Sequence, residues 1–592
     1  MGDWHASSNL EEPQSTTTTT THNPKPYISR TSPQIYPHAA VATSQPLASS
    51  IGLHILRSGG NATDASIAIV AALAVTEPCS TGLGGDFFAL HYNNETHDVT
   101  CVNGSGRSPA DIRAVEEIHR LSEEEWMFSP HSVTVPGAAR GWEDMLKRHG
   151  SGMFTLSQLV EPAALLAEEG FPVSPVTARN WNLGLKGQIH KHHPPQHGST
   201  SLSSNHDPER GPLAGEVFQN PDLARVLRTL GKLGATNGFY TGSTAEALVE
   251  AVQSRGGRLS LDDLKAHVSS TFPDPISVEY RGKRLWQVPP NGQGVAGLIA
   301  LVGLDVLEKE ELVDTSSPTC CEEQRFHVLM EMMRLGFEDA RNHVTDPDYS
   351  QKSIDWLLDR DRIGTRAKQL YHPTKSNVST QTAHPDPTPG TVSFQVVDND
   401  GNATSVVNSN YMGFGTGIVP TGCGFTLQNR GYGFSRVEGH VNEYRPGKRP
   451  YHTIIPGLLT NGSDGGEDGG EDGGDAGGLY ATLSNMGGFM QPQGHLQLTV
   501  AMLSQNLDPQ AAIDAPRFCI ADGTRDGKLL LEDGVDSGVE EALTRMGHDI
   551  QTGVSGWGRG AFGRAQIIQR NEDTGMLWTG SDKRADGCAM GY

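Results

Sequence analysis

The chain has 592 residues, with 69 acidic against 46 basic side chains and a formal net charge of −23. That length exceeds one ordinary hydrophobic core, so two domains or one large two-lobed domain is expected. The acidic balance argues against a nucleic-acid or anionic-membrane surface, and 70 glycines with few aromatics favour loop-built sites over a helical bundle.

Residues 1 to 35 read as a disordered tail. Met1 to Arg30 is polar, includes the Thr16–Thr21 tract, and has no apolar core of signal-peptide length. The longest apolar-looking run, Ala65 to Val75, is too short to span a bilayer. The seven cysteines are odd in number, lack a CxxC and include adjacent Cys320 and Cys321, which speaks against a disulfide framework. These features point to a soluble, cytoplasmic protein with neither membrane nor nucleic acid as partner.

Two helices are expected over 47–75, broken at Gly59-Gly60, the second capped by Asn61 or Thr63. The loop Thr81 to Asp86 precedes strands over 87–92 and 99–103. That order is the reverse of a dinucleotide-binding turn, so a close-packed turn is expected there. Helical patterning covers 154–178. The polar insertion 184–214 carries His190, His192, His193 and His197; a metal site is conceivable, but Pro194-Pro195 and the lack of acidic partners favour a flexible surface loop. Helices are expected near 221–233, 243–256, 260–266, 292–308 and 323–342, and β character over 391–460. Residues 461 to 478 form an acidic, Gly-rich insertion without EF-hand spacing. A strand (479–484), a helix (493–504) and further β segments complete the chain. No metal ligand set is evident, and no cofactor is implied.

Around Asp398-Asn399-Asp400-Gly401, two β-type runs form a strong hairpin signal. With a three-residue loop, Asn399 to Gly401, and Gly401 at positive φ, Asp398 faces Asn402 and Ser409 falls opposite Thr391. Upstream, 372–390 is rich in His, Pro, Ser and Thr and reads as an exposed loop. A threonine made N-terminal by cleavage carries nucleophile and base together, because its own α-amine can take the hydroxyl proton. On these residues alone, an ordinary threonine opening an ordinary hairpin is the more frequent arrangement.

Six ordered stretches change that balance. They are Leu56 to Ala65 with Gly82-Leu83-Gly84-Gly85; Val135-Pro136-Gly137-Ala138; Thr391 to Asn402 running on to Phe414–Val419; Lys448-Arg449-Pro450; Met486-Gly487-Gly488; and Ala515-Pro516-Arg517-Phe518 with Gly591-Tyr592. Together they resemble the γ-glutamyltranspeptidase family of N-terminal nucleophile hydrolases, over residues 37 to 592. The resemblance implies an α+β fold, a four-layer αββα sandwich. It implies a precursor that cuts itself between Gly390 and Thr391 into a large subunit (36–390 behind the tail) and a small catalytic subunit (391–592) that stay together. It implies Thr391 as nucleophile, Ser409 as its hydroxyl partner, Gly487 and Gly488 as oxyanion donors, and a small-molecule amide as substrate.

Some positions depart from the family pattern. Ser105 and Gly433 stand where the family holds the glutamyl carboxylate and amine with Arg and Asp. Tyr411 and Arg430 replace an Asn and a Gln, and His452-Thr453 replaces a Ser-Ser pair. Arg107, Tyr411, Arg430, His452 and Thr453 are therefore the candidate substrate-binding residues, and an Asp restored at 433 is expected to improve γ-glutamyl turnover. The pattern resembles the divergent branch that includes cephalosporin-acylase-like and oxamate-amidohydrolase-like members. The first expectation is a self-cleaving hydrolase or acyltransferase for γ-glutamyl amides such as glutathione. The alternatives are a sibling amidohydrolase or acylase for another carboxylate-bearing amide, and an unprocessed, non-catalytic homologue.

Overall fold

The computed structural model describes residues 31–193, 201–268, 270–317, 320–377, 389–462 and 477–592. Two antiparallel sheets carry the architecture. One has six strands in the order Cys588–Gly591, Ala40–Thr43, Pro389–Val397, Ala403–Met412, Asp86–Tyr92 and Val99–Gly104. The other has seven, in the order Gln34–Tyr36, Leu577–Ser581, Arg564–Arg570, Leu479–Met486, Gly457–Asn461, Lys283–Gln287 and Ile276–Tyr280.

The sheets face each other across a core that includes Phe88, Leu90 and Val407 from one and Leu458 and Ile568 from the other. The helix Ala62–Thr76 is buried along its whole length on the outer face of the six-stranded sheet, against Val392, Phe394 and Val406. Helices Gly294–Lys309, Glu322–His343 and Met490–Leu503 cover the outer face of the seven-stranded sheet. The result is the four-layer αββα sandwich. Both faces of the central strands are covered, so Ala403–Met412 is buried at every position, and alternation disappears where a half-exposed strand would show it.

Local signals hold where they rest on backbone chemistry. The break at Gly59-Gly60 places Gly59 at φ +92°, and Asn61 and Asp64 exchange side-chain and backbone hydrogen bonds as a capping box at the next helix. Such a cap contributes about 0.5–2 kcal/mol.

Other expectations are corrected. The tail does not reach 35: Gln34–Tyr36 is an edge strand paired with Leu577–Thr579. Within 391–460, the strands stop at Met412 and resume at Gly457; between them runs irregular chain with one short 3-10 turn, Arg430–Gly433. The C-terminal third contains helices Pro509–Asp514 and Ser537–Arg545 among its strands. Two strands over 276–287 and the helix Arg360–Leu370 had no clear sequence signal. The insertion at 184–214 is anchored at its start. Leu185–His190 forms a π-helical turn, where Gln188 donates to the Met412 carbonyl (2.9 Å) and accepts from the Phe414 N–H (2.7 Å). His197 and most of 461–478 lie outside the described residues. All seven cysteines are free thiols, and no described helix is long and apolar enough to cross a membrane.

Candidate active site

The hairpin follows the register set by its loop. Val397 pairs with Ala403 and Val392 with Asn408, Gly401 sits at φ +82°, and the Asp398 N–H donates to the Asn402 carbonyl at 2.9 Å. A β-bulge then intervenes before Gly390 pairs with Tyr411, which itself sits at φ +78°. The bulge turns Ser409 toward the start of the partner strand. Its Oγ lies 2.9 Å from Thr391 Oγ1.

Thr391 is only 1% exposed. Its hydroxyl donates to the Gly390 carbonyl oxygen at 2.6 Å, and the Ser409 hydroxyl donates to the same oxygen at 2.8 Å. Ser409 Oγ accepts from the Tyr411 N–H (2.8 Å) and Arg430 Nη2 (3.4 Å), which leaves its hydrogen for Gly390. Two hydroxyls thus polarise the carbonyl, and one of them, that of Thr391, is also the candidate nucleophile.

From Arg430 the network runs inward. Its Nη1 donates to Thr453 Oγ1 (2.8 Å), and its guanidinium stacks 4.1 Å from the Tyr411 ring centroid. Gln293 Nε2 then joins the Thr453 carbonyl (2.8 Å) to the Gly488 carbonyl (2.9 Å). Gly487 and Gly488 sit at φ +138° and +58°, a region that glycine enters without Cβ strain.

A further layer of hydrogen bonds lies behind Ser409. Asp86, its neighbour on the adjacent strand, accepts from the Gly106 and Gly137 N–H groups and from Gln428 Nε2. Burial opposes the charge on Asp86, but the hydrogen bonds from His452 and Gln428 and the Arg430 charge hold its carboxyl below the ordinary value. Burial and Arg430 push His452 down to about 4, so its ring is neutral at pH 7. Its Nδ1 accepts from the Ile454 N–H (3.3 Å), and its Nε2–H donates to Asp86 (3.0 Å). The glycine loop before this strand is close-packed, as its sequence suggests: a Cβ at Gly85 would fall 2.2 Å from the Ser409 carbonyl oxygen.

A cavity of about 430 Å³ opens beside this network, walled by Tyr411, Gly433, Tyr451, Phe489, Arg341 and Asp522. Among the sequence candidates, Thr391, Ser409, Tyr411, Arg430 and Thr453 come together. His452 lies one layer behind, fully buried. Arg107 does not join them: its guanidinium pairs with Asp346 (3.0 Å) and Asp348 (3.1 Å). Ser105 is buried and donates to Asn103. Sequence reasoning missed Arg341. It ends a helix, where a basic residue reads as an ordinary C-terminal dipole partner. Here its Nε and Nη2 donate to the Gly523 and Asp522 carbonyls, and its guanidinium lies 4.2 Å from the Phe489 ring centroid. No described carboxylate forms an ion pair with it. At position 433 a Cβ would lie 2.7 Å from the Tyr451 carbonyl oxygen, so an aspartate there requires the backbone to shift.

Comparison with known proteins identifies the family. The family described as Gamma-glutamyltranspeptidase matches residues 48–592. The glutathione hydrolase-like YwrD proenzyme of Bacillus subtilis (strain 168) is 32% identical over 554 residues, covering 92% of this chain and 97% of that protein. The oxamate amidohydrolase proenzyme of Klebsiella pneumoniae is 29% identical over 566 residues, covering 94% and 98%. The crystal structure of cephalosporin acylase from Bacillus halodurans superposes with a TM-score of 0.81 at 34% identity, covering 97% and 99%. The chain therefore belongs to the γ-glutamyltranspeptidase family of N-terminal nucleophile hydrolases.

Proposed function

We propose that this chain is a self-cleaving threonine hydrolase or acyltransferase acting on amides that carry a carboxylate, with γ-glutamyl amides such as glutathione as the first class to test. The observation that carries the reading is the meeting of Thr391 Oγ1, Ser409 Oγ and the Gly390 carbonyl oxygen within 2.6–2.9 Å. In maturation, Thr391 Oγ attacks the Gly390 carbonyl carbon and the C–N bond breaks. The hydroxyl proton passes to the departing nitrogen, and water hydrolyses the resulting ester. The Ser409 hydroxyl stabilises the charge that develops on the Gly390 oxygen. The products are a large subunit ending at Gly390 and a small subunit beginning at Thr391.

In turnover, the freed Thr391 amine takes the hydroxyl proton, Oγ attacks the substrate amide, and the Gly487 and Gly488 N–H groups hold the oxyanion, where one such donor is worth about 2.7–4 kcal/mol. The acyl-enzyme passes to water or to an acceptor amine. Arg341 supports a carboxylate on the substrate, since it brings an uncompensated guanidinium to the cavity wall.

The second reading, an acylase or amidohydrolase for a different carboxylate-bearing amide, is favoured by Gly433. That position offers no carboxylate to a glutamyl amine, and a side chain there would press on the Tyr451 carbonyl oxygen. The proenzyme and acylase relatives fit either reading.

Intact mass under denaturing conditions, followed by incubation with glutathione, tests both. Two fragments split at Gly390/Thr391 and released glutamate are expected. Two fragments without glutamate would move the assignment to the second reading. A single uncut chain, or cleavage that survives Thr391→Ala, would overturn the threonine mechanism.

A further inference from the structure

Away from the hairpin, on the outer helical layer, three side chains distant in sequence converge. His327 and Glu331 are one turn apart on Glu322–His343 and so share a face. His548 follows the helix Ser537–Arg545. All three are buried, and one ligand atom from each lies within 4.8 Å of the other two. We infer that His327, Glu331 and His548 form a binding site for a divalent transition-metal ion of the zinc type.

Hydrogen bonds set the donor atoms of His327 and Glu331, while the Nδ1 of His548 is buried without a partner. His327 Nε2 lies 2.8 Å from the His372 carbonyl oxygen, which can only accept, so Nε2 carries the hydrogen. The other ring nitrogen, Nδ1, is thereby turned to within 2.7 Å of His548 Nε2. A metal-binding histidine is held in this way, with its far N–H on a backbone carbonyl and its near nitrogen on the ion. Glu331 is oriented as a ligand carboxylate is: the Ser376 hydroxyl donates to Oε1 (2.7 Å) and the Asn377 N–H to Oε2 (3.4 Å).

Charge points the same way. Glu331 is only 3% exposed, yet no described Lys or Arg lies within ion-pair distance of it. Arg334, three residues along the helix, is held by the Arg525 and Gly527 carbonyls. His327 Nδ1 and His548 Nε2, 2.7 Å apart, share one N–H···N hydrogen bond when both rings are neutral, and a zinc-type ion can take the place of that hydrogen beside the buried carboxylate. Tetrahedral coordination at about 2.0–2.1 Å places ligand atoms about 3.3 Å apart, so the two rings need to open by about half an ångström. Sequence spacing hid the set, because 221 residues separate the two histidines.

The site ties three segments together: the helix Glu322–His343, the stretch 371–377, and the turn holding His548. The first two precede Thr391 and the third follows it. If the chain is cut as proposed above, the ion clamps large subunit to small; the metal site itself does not depend on that cut.

The test uses the full chain purified without an affinity tag from zinc-supplemented medium, dialysed free of loose metal and assayed by elemental analysis. About one equivalent of zinc per chain is expected, at least tenfold less in His548→Gln and Glu331→Gln, with a chelator lowering the Tm of the parent but not of the variants. Titration of the chelator-treated parent with Co²⁺ should give the visible absorption of a tetrahedral N/O site, and this arm needs no variant to fold. Zinc retained equally by parent and variants would assign it to other histidines and overturn the site. A parent that takes up neither zinc nor cobalt would leave His327 and His548 as a hydrogen-bonded pair and would equally overturn the site. These readouts are independent of glutathione turnover and of chain cleavage.

Discussion

Ser409 Oγ lies 2.9 Å from Thr391 Oγ1 while its hydroxyl donates to the Gly390 carbonyl oxygen, the neighbour of Thr391 in the chain. One side chain thus touches both the nucleophile and the bond that must break to free it. Removing the hydroxyl should act on maturation first. Ser409→Ala is expected to slow appearance of the two fragments about 10²–10³-fold, the usual cost of a lost oxyanion donor. Ser409→Thr, which keeps the hydroxyl, should retain most of the rate. A time course of intact mass checks this, and unchanged cleavage in Ser409→Ala would remove Ser409 from the mechanism.

Arg341 is expected to act through substrate affinity. Arg341→Gln should raise KM at least tenfold for a carboxylate-bearing amide, with a smaller effect on kcat, because it removes a charge-assisted contact without touching Thr391. A neutral analogue of the same substrate should be processed equally by both proteins. Equal losses on the two substrates would assign Arg341 to holding the Asp522–Gly523 turn.

Gly433→Asp is expected to destabilise without improving γ-glutamyl turnover. Its Cβ would meet the Tyr451 carbonyl oxygen at 2.7 Å, so backbone must move, and overpacking of this kind costs about 1–3 kcal/mol. Gly433→Ala should show a similar fall in Tm. A variant with parental Tm and higher glutamate release would show that the wall yields.

Stability should fall as pH drops from about 6.5 toward 4. Burial holds His91 at about 3, and His267 and His452 at about 4, while His495 is held at about 3. Within this window the unfolded chain binds protons that the folded chain refuses, so stability rises with pH and is fully present above the unfolded histidine value. Each such group costs about 1.4 kcal/mol per pH unit descended. Tm measured from pH 7.5 down to 4.5 should decline throughout the lower part. A flat profile would mean that water reaches these rings.

Legibility in the sequence divides by range. The capping box, the glycine break and the hairpin loop were readable because each depends on hydrogen bonds among residues a few positions apart. The loop set the register as far as Asn408, and the bulge beyond it leaves Ser409 beside Thr391. The bulge that rotates Ser409 inward was not readable, since Asn410 carries no mark of being the extra residue. The region 413–456 was expected to be β, whereas its backbone is satisfied by scattered partners such as Asn291, Leu427 and Asn442.

By itself the sequence determined the hairpin loop that sets Thr391 and Ser409 on facing strands and the six ordered motifs, whose resemblance to a known family gave those two hydroxyls their expected roles. Only the tertiary structure decided which cations face the cavity. Arg107 looked available and is neutralised by Asp346 and Asp348, whereas Arg341 looked like a helix end and stands in the wall. The free energy of a charge depends on what surrounds it, and those surroundings come from segments hundreds of residues apart.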